Sequence, residues 1–141
     1  MSNSRAPVAI AKADPRAAVH CFEMNQMDDC KDIIRKTAGR IREVHRQGGR
    51  GFIPQYSALV DQLFPGGYDC GLRNIRQGDA KAIDSALAFL EVRPYFFRSQ
   101  YIRTRLMRLL KHTTLDPTQA ERFSRIIQIE HAIGMARKKN G

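Results

Sequence analysis

Tyr101, Arg105, Arg108 and His112 stand at steps of four, three and four residues. On a helix that spacing places them on one stripe, because side chains three and four apart are surface neighbours. Each guanidinium in such a row offers a phosphate two parallel hydrogen bonds. The tyrosine adds a hydroxyl and a flat face on which a base can stack. The chemistry this suits is recognition of a polyanion, and of a nucleic-acid backbone first. Without a partner the same stripe is a solvated basic face.

Just before it runs Arg93-Pro94-Tyr95-Phe96-Phe97-Arg98, three consecutive aromatics between arginines. That is more apolar surface than a loop exposes without reason. Phe96 and Phe97 are expected to plug the core, leaving Tyr95 outward between Arg93 and Arg98 as an anion or base-stacking position. Taken together, Arg93 to His112 holds six cations (Arg93, Arg98, Arg103, Arg105, Arg108 and Lys111) and no acid. A second cationic stretch, Lys31 to Arg50, contributes Arg35, Arg42 and Arg46, and Arg137-Lys138-Lys139 would add contact by charge. The candidate binding residues are therefore Arg35, Arg42, Arg46, Arg93, Tyr95, Arg98, Tyr101, Arg105, Arg108 and His112.

Other chemistries find less in the sequence. Gly48-Gly49-Arg50-Gly51 lacks the spacing of a phosphate-binding loop and has no strand before it. It reads as a helix stop, and Pro65-Gly66-Gly67-Tyr68-Asp69-Cys70-Gly71 as a structural turn. His20-Cys21 with Cys30 matches no zinc spacing, and small apolar thiols on helix faces account for Cys21 and Cys30. Of His20, His45, His112 and His131, none is paired with an acid in a recognisable catalytic pattern. A histidine among arginines, His112 beside Arg108, would permit RNA cleavage by general acid–base work. No catalytic residue, metal or cofactor is assigned.

The chain has 141 residues, 43% hydrophobic and 27% charged, with a formal net charge of +10. One domain fits that length, and the apolar fraction is sufficient for an ordered core. The charge bears on partners, with nucleic acid, an anionic surface and an acidic protein all admitted. No window has the apolar run needed to span a bilayer. Three cysteines without C-x-x-C spacing or a signal-peptide pattern point to free thiols in the cytoplasm.

The elements that must position these residues follow from caps and periodicity. Asp14-Pro15 starts a short helix to about Met24, and Asn25 caps a second running to about Gln47. The second has an apolar stripe of Cys30, Ile33, Ile34, Ala38, Ile41 and Val44. Pro54 opens a helix with Tyr56, Leu59, Val60 and Leu63 inward, and Pro65-Gly66-Gly67 closes it. One helical turn is expected around Leu72 and Ile75. Asp79 caps a helix through Val92 whose sparse charge makes it the central one. Ser99 is expected to cap the helix bearing Ile102, Leu106, Leu109 and Leu110. Asp116-Pro117 starts the last helix, with Ala120, Phe123, Ile126, Ile127 and Ile133.

The fold predicted is all-α, a compact single-domain bundle of five or six helices with short loops over residues 14–136. A flexible tail, 1–13, precedes it and a basic tail, 137–141, follows. The function predicted is nucleic-acid binding, DNA or RNA, through arginine-rich helix faces. The alternative is a protein-interaction module of inhibitor, adaptor or immunity type that docks an acidic partner through Tyr95 and the arginines.

Overall fold

The computed structural model describes the backbone of residues 15–140 and the side-chain surroundings of residues 29–138. Among them are six helices and no strand: α1 Pro15–Gln47, α2 Phe52–Asp61, α3 Tyr68–Arg76, α4 Ala80–Val92, α5 Ser99–Lys111 and α6 Pro117–Asn140. The expectation of an all-α bundle holds. The N-terminal tail and the side chain of Cys21 lie outside the described residues.

Aspartates start two of these helices. Asp79 Oδ2 accepts from the Ala82 N–H at 3.0 Å. Asp116 Oδ1 accepts from the Gln119 N–H at 2.8 Å while Gln119 Oε1 accepts from the Asp116 N–H at 3.1 Å. That reciprocal pair satisfies two donors that a helix end leaves open. Between α2 and α3 the chain turns through Gly66 and Gly67, at φ 78° and 99°. Side chains are strained at such angles, and a Cβ on Gly66 would also press on Cys70 Sγ at 3.1 Å. Asp61 Oδ1 then accepts from the Tyr68 N–H at 3.0 Å and opens α3.

Several local expectations are corrected. Asn25 opens no second helix, because α1 is one helix from Pro15 to Gln47. A residue able to cap does not end a helix whose neighbours keep helical geometry. The single turn around Leu72 and Ile75 is a nine-residue helix. Ser99 is the first residue of α5 and not its cap: its Oγ accepts from the Phe96 N–H at 3.2 Å and tightens the preceding turn. Arg137 and Lys138, expected in a tail, lie within α6.

The core gathers around α4, which packs against α1, α3, α5 and α6. Ala82, Ile83, Ala86, Leu87, Ala88, Phe89 and Leu90 are all buried, so both faces of α4 are covered, as its few charges require. α1 supplies Ile34, Ala38 and Ile41. Ile33, one step off that stripe, is 52% exposed. α5 supplies Ile102, Leu106 and Leu110, and Leu109 is only half-buried. On α6 the buried face is Gln119, Arg122, Phe123 and Ile126, whereas Ala120 and Ile127 are exposed. The buried face includes two polar residues because α4 presents acids to it: Gln119 Nε2 donates to Asp84 Oδ1 at 3.0 Å, and Arg122 reaches Glu91.

Candidate nucleic-acid interface

The predicted stripe exists on α5, and a second helix completes it. Tyr101, Thr104, Arg105, Arg108, Leu109 and His112 line one side of a groove of about 600 Å³, and Arg76 from the last turn of α3 lines the other. Among the described residues no acid lines this groove. Among the described residues Arg76, Arg105 and Arg108 have no carboxylate within ion-pair distance; Arg105 Nη1 donates to the Tyr101 hydroxyl at 3.4 Å. α5 contains no acid of its own, so these guanidinium groups have no intrahelical partner to neutralise them. Tyr101 is 61% exposed and offers a face to a ligand. Beneath, the Tyr68 hydroxyl is buried without a hydrogen-bond partner. Burial pushes its pKa up against the pull of nearby Arg105.

The aromatic segment between α4 and α5 is fixed from several sides. Phe96 is buried against Phe89, while Phe97 is half-buried and stacks on His45 with ring centroids 4.8 Å apart. Phe52 and Tyr56 of α2 close the cluster edge-on to Phe97. The Tyr56 hydroxyl donates to the Phe97 carbonyl at 2.9 Å, and Arg42 Nη1 donates to the Tyr95 carbonyl at 2.8 Å. Tyr95 itself points outward, 80% exposed.

Two depressions flank it. One, of about 530 Å³, is lined by Arg42, His45 and Arg46 of α1 together with Tyr95 to Arg98. The other, of about 350 Å³, is lined by Arg93 to Phe96 (with the Phe97 side chain elsewhere), Arg98, the start of α5, Arg103 and, from α6, Arg137. Basic residues of α1, α5 and α6 therefore do converge, and they converge on Tyr95 and Arg98. Both arginines at the ends of the segment are left-handed, Arg93 at φ 53° and Arg98 at φ 65°. For residues with a Cβ this is strained backbone, of a kind held only where surroundings over-determine it. Arg98 lies against the Phe97 ring, 5.2 Å from its centroid.

Not every predicted residue is free for a partner. Arg93 is spent on structure, with Nε and Nη2 donating to the two oxygens of Glu130 at 2.9 and 3.3 Å. Arg35 pairs with Asp32 at 3.0 Å one turn away and lines neither the groove nor the two depressions. Arg46 donates to Glu43, Nη2 to Oε1 at 2.7 Å, but stays at the edge of its depression. Two arginines outside the predicted set are buried, each at helical spacing from the apolar residues of its face: Arg103, and Arg122 at 5% exposure. Arg122 grips Glu91 with Nε–Oε2 3.1 Å and Nη2–Oε1 2.7 Å and reaches Asp84 at 3.4 Å. Lys31 stands 3.4 Å from the same Glu91. Burial raises the Glu91 pKa, but the hydrogen bonds and charge of Arg122, with Lys31, outweigh it, and the carboxyl lies below its usual range.

Among the described residues there is no cluster of three or more potential metal ligands. No helix there is long and apolar enough to cross a membrane. Cys30 is half-buried, and burial pushes its thiol pKa up, against the pull of the Ser85 hydrogen bond. Comparison with protein-family models, curated proteins and solved structures finds no match to this chain.

Proposed function

We propose that this protein binds nucleic acid and holds the phosphate backbone in the groove between α3 and α5. The observation that carries the reading is the acid-free lining, in which Arg76, Arg105 and Arg108 converge without carboxylate partners beside an exposed Tyr101. Unpaired guanidinium groups lose little on meeting a phosphate, because no ion pair has to be broken first. The stripe from Tyr101 to His112 spans about 16 Å at 1.5 Å per residue, long enough for several phosphates of one strand. His112 lines the far end of the same stripe and enters the proposal as a binding residue.

The test is fluorescence anisotropy with generic single-stranded and duplex DNA and RNA over a range of salt. Binding should weaken steeply as salt rises, because displaced counterions drive it. Absence of binding to every probe at low salt would reject the reading.

A second reading has its own support. Tyr95, largely exposed and set beside Arg98, is of the residue types that anchor protein interfaces. On that view an acidic protein docks on the aromatic segment, Tyr95→Ala abolishes docking, and the α3–α5 groove is irrelevant.

A further inference from the structure

The depression beside Tyr95 on the α6 side carries more positive charge than the fold uses. Arg93, Arg98, Arg103 and Arg137 all line it. Glu130 is the one acid held to any of them among the described residues, and Arg93 takes both its oxygens. Arg103 is left with the remainder. Its residue exposure is 8%, yet its nearest carboxylate contact, Nε to Glu130 Oε1, is 3.5 Å, too long for a good hydrogen bond. A guanidinium carries five N–H donors, and no Arg103 nitrogen is both buried and without a partner, so the donors that Glu130 does not take stay accessible from the depression. Burial, then the charges of Arg93 and Arg137, pull its pKa down against Glu130.

A second feature points the same way. The α5 N-terminus has no side-chain cap, and its first residues, Ser99 and Gln100, line this same depression. The Ser99 N–H is taken by the Phe96 carbonyl at 3.0 Å, so it is the N–H groups of Gln100 and Tyr101, with the dipole of the helix start, that favour an anion. α5 is 13 residues long, enough for that dipole to develop. Three cationic charges in excess of one carboxylate call for more than the single charge of a backbone phosphodiester. A phosphate monoester brings nearly two charges and three acceptor oxygens at neutral pH.

We propose that this depression, bounded by Arg98, Arg103, Arg137 and the start of α5, binds the terminal phosphate of a nucleic-acid strand, with the first base stacked on Tyr95. The volume of about 350 Å³ suits a phosphate with part of its sugar, and the exposed Tyr95 ring stands at its rim. Arg103 supplies its accessible N–H donors, Arg98 and Arg137 close over the oxygens, and Arg93 stays committed to Glu130 as the wall. The α3–α5 groove then takes the internal phosphates. This inference rests on the nucleic-acid reading and makes it specific for strand ends.

The experiment compares one short strand sequence with a 5′-phosphate, a 3′-phosphate or hydroxyl ends, in DNA and RNA, and adds a nucleoside monophosphate as a competitor. One phosphorylated form should bind at least about tenfold more tightly than the hydroxyl form. Arg103→Gln should bring that ratio close to one. If Arg103→Gln fails to fold, Arg137→Gln, at an exposed position on α6, should reduce the ratio too. Arg105→Glu, in the other groove, should weaken all strands in parallel and leave the ratio unchanged. Equal binding of phosphorylated and hydroxyl strands overturns the inference but not the nucleic-acid reading. No binding of any strand overturns both. A nucleoside monophosphate that binds as tightly as the phosphorylated strand shows a site for free nucleotide and overturns the strand-end assignment.

Discussion

Arg93 and Glu130 meet across the bundle, Nε to Oε1 at 2.9 Å and Nη2 to Oε2 at 3.3 Å. The pair ties the left-handed end of α4 to the middle of α6. Arg93 hydrogen bonding, against the opposing effect of burial, holds the Glu130 carboxyl below its usual range. Folding therefore favours the ionised form. The contribution is complete above the ordinary glutamate value of 4.5 and is lost as pH falls through the lower folded value. Glu130→Gln should cost about 2 kcal/mol at neutral pH, the scale of hydrogen bonds to a charged group. It should also flatten the loss of stability as pH falls below 4.5. Urea unfolding at several pH values reads both, and an unchanged pH profile would count against the pair.

Arg122 holds the other seam, gripping Glu91 and touching Asp84 from a nearly buried position. Removing one member of a buried pair leaves the other charged and unsatisfied. Arg122→Ala should cost about 3 kcal/mol. Arg125→Ala, on the same helix with an exposed guanidinium reaching only Glu121 at 3.5 Å, should change stability by less than about 0.5 kcal/mol. Chemical denaturation of the two variants side by side checks the contrast.

For binding, the groove sorts the arginines. Arg105→Glu or Arg108→Glu should lower nucleic-acid affinity about tenfold or more at low salt and reduce the salt slope by about one. Arg35→Gln should leave both nearly unchanged, because Arg35 lines neither the groove nor the depressions around Tyr95. Equal losses from Arg35 and Arg108 would mean that bulk charge, not the groove, governs binding.

Arg98 allows backbone strain to be isolated. Arg98→Gly and Arg98→Ala both remove the guanidinium and its contact with Phe97. They differ in the left-handed backbone at φ 65°. A Cβ there costs roughly 1–2 kcal/mol, against roughly 0.5–1 kcal/mol for the extra unfolded-chain entropy of glycine. The glycine variant should therefore be the more stable by about 0.5–1 kcal/mol, and thermal or urea melts of the pair measure it.

What the sequence made legible is local. Asp79 and Asp116 cap as expected because capping needs only a side chain and an N–H three residues on. Tyr101, Arg105, Arg108 and His112 line one groove because helical spacing alone aligns them. Arg76 was beyond reach, since α3 is short, weakly signalled and separated from α5 by the whole of α4. Arg93 resembled a free binding residue because its partner, Glu130, lies 37 positions away on another helix. Arg103 sits among the inward leucines of α5 and carries a full charge. Its spacing from Ser99, Leu106 and Leu110 puts it on the buried face, but no spacing in α5 foretells that Glu130 of α6 stands opposite it.

The segment Tyr95-Phe96-Phe97 is held through its main chain by three different elements: Arg42 of α1 on the Tyr95 carbonyl, Ser99 of α5 on the Phe96 amide, and Tyr56 of α2 on the Phe97 carbonyl. Its position between two helices suggests a joint, but these bonds leave it little to flex with. Tyr95 is thus displayed on a preorganised platform. A ligand settling on that ring has no loop to order first, so its free energy of association goes into contact and not into arranging the protein.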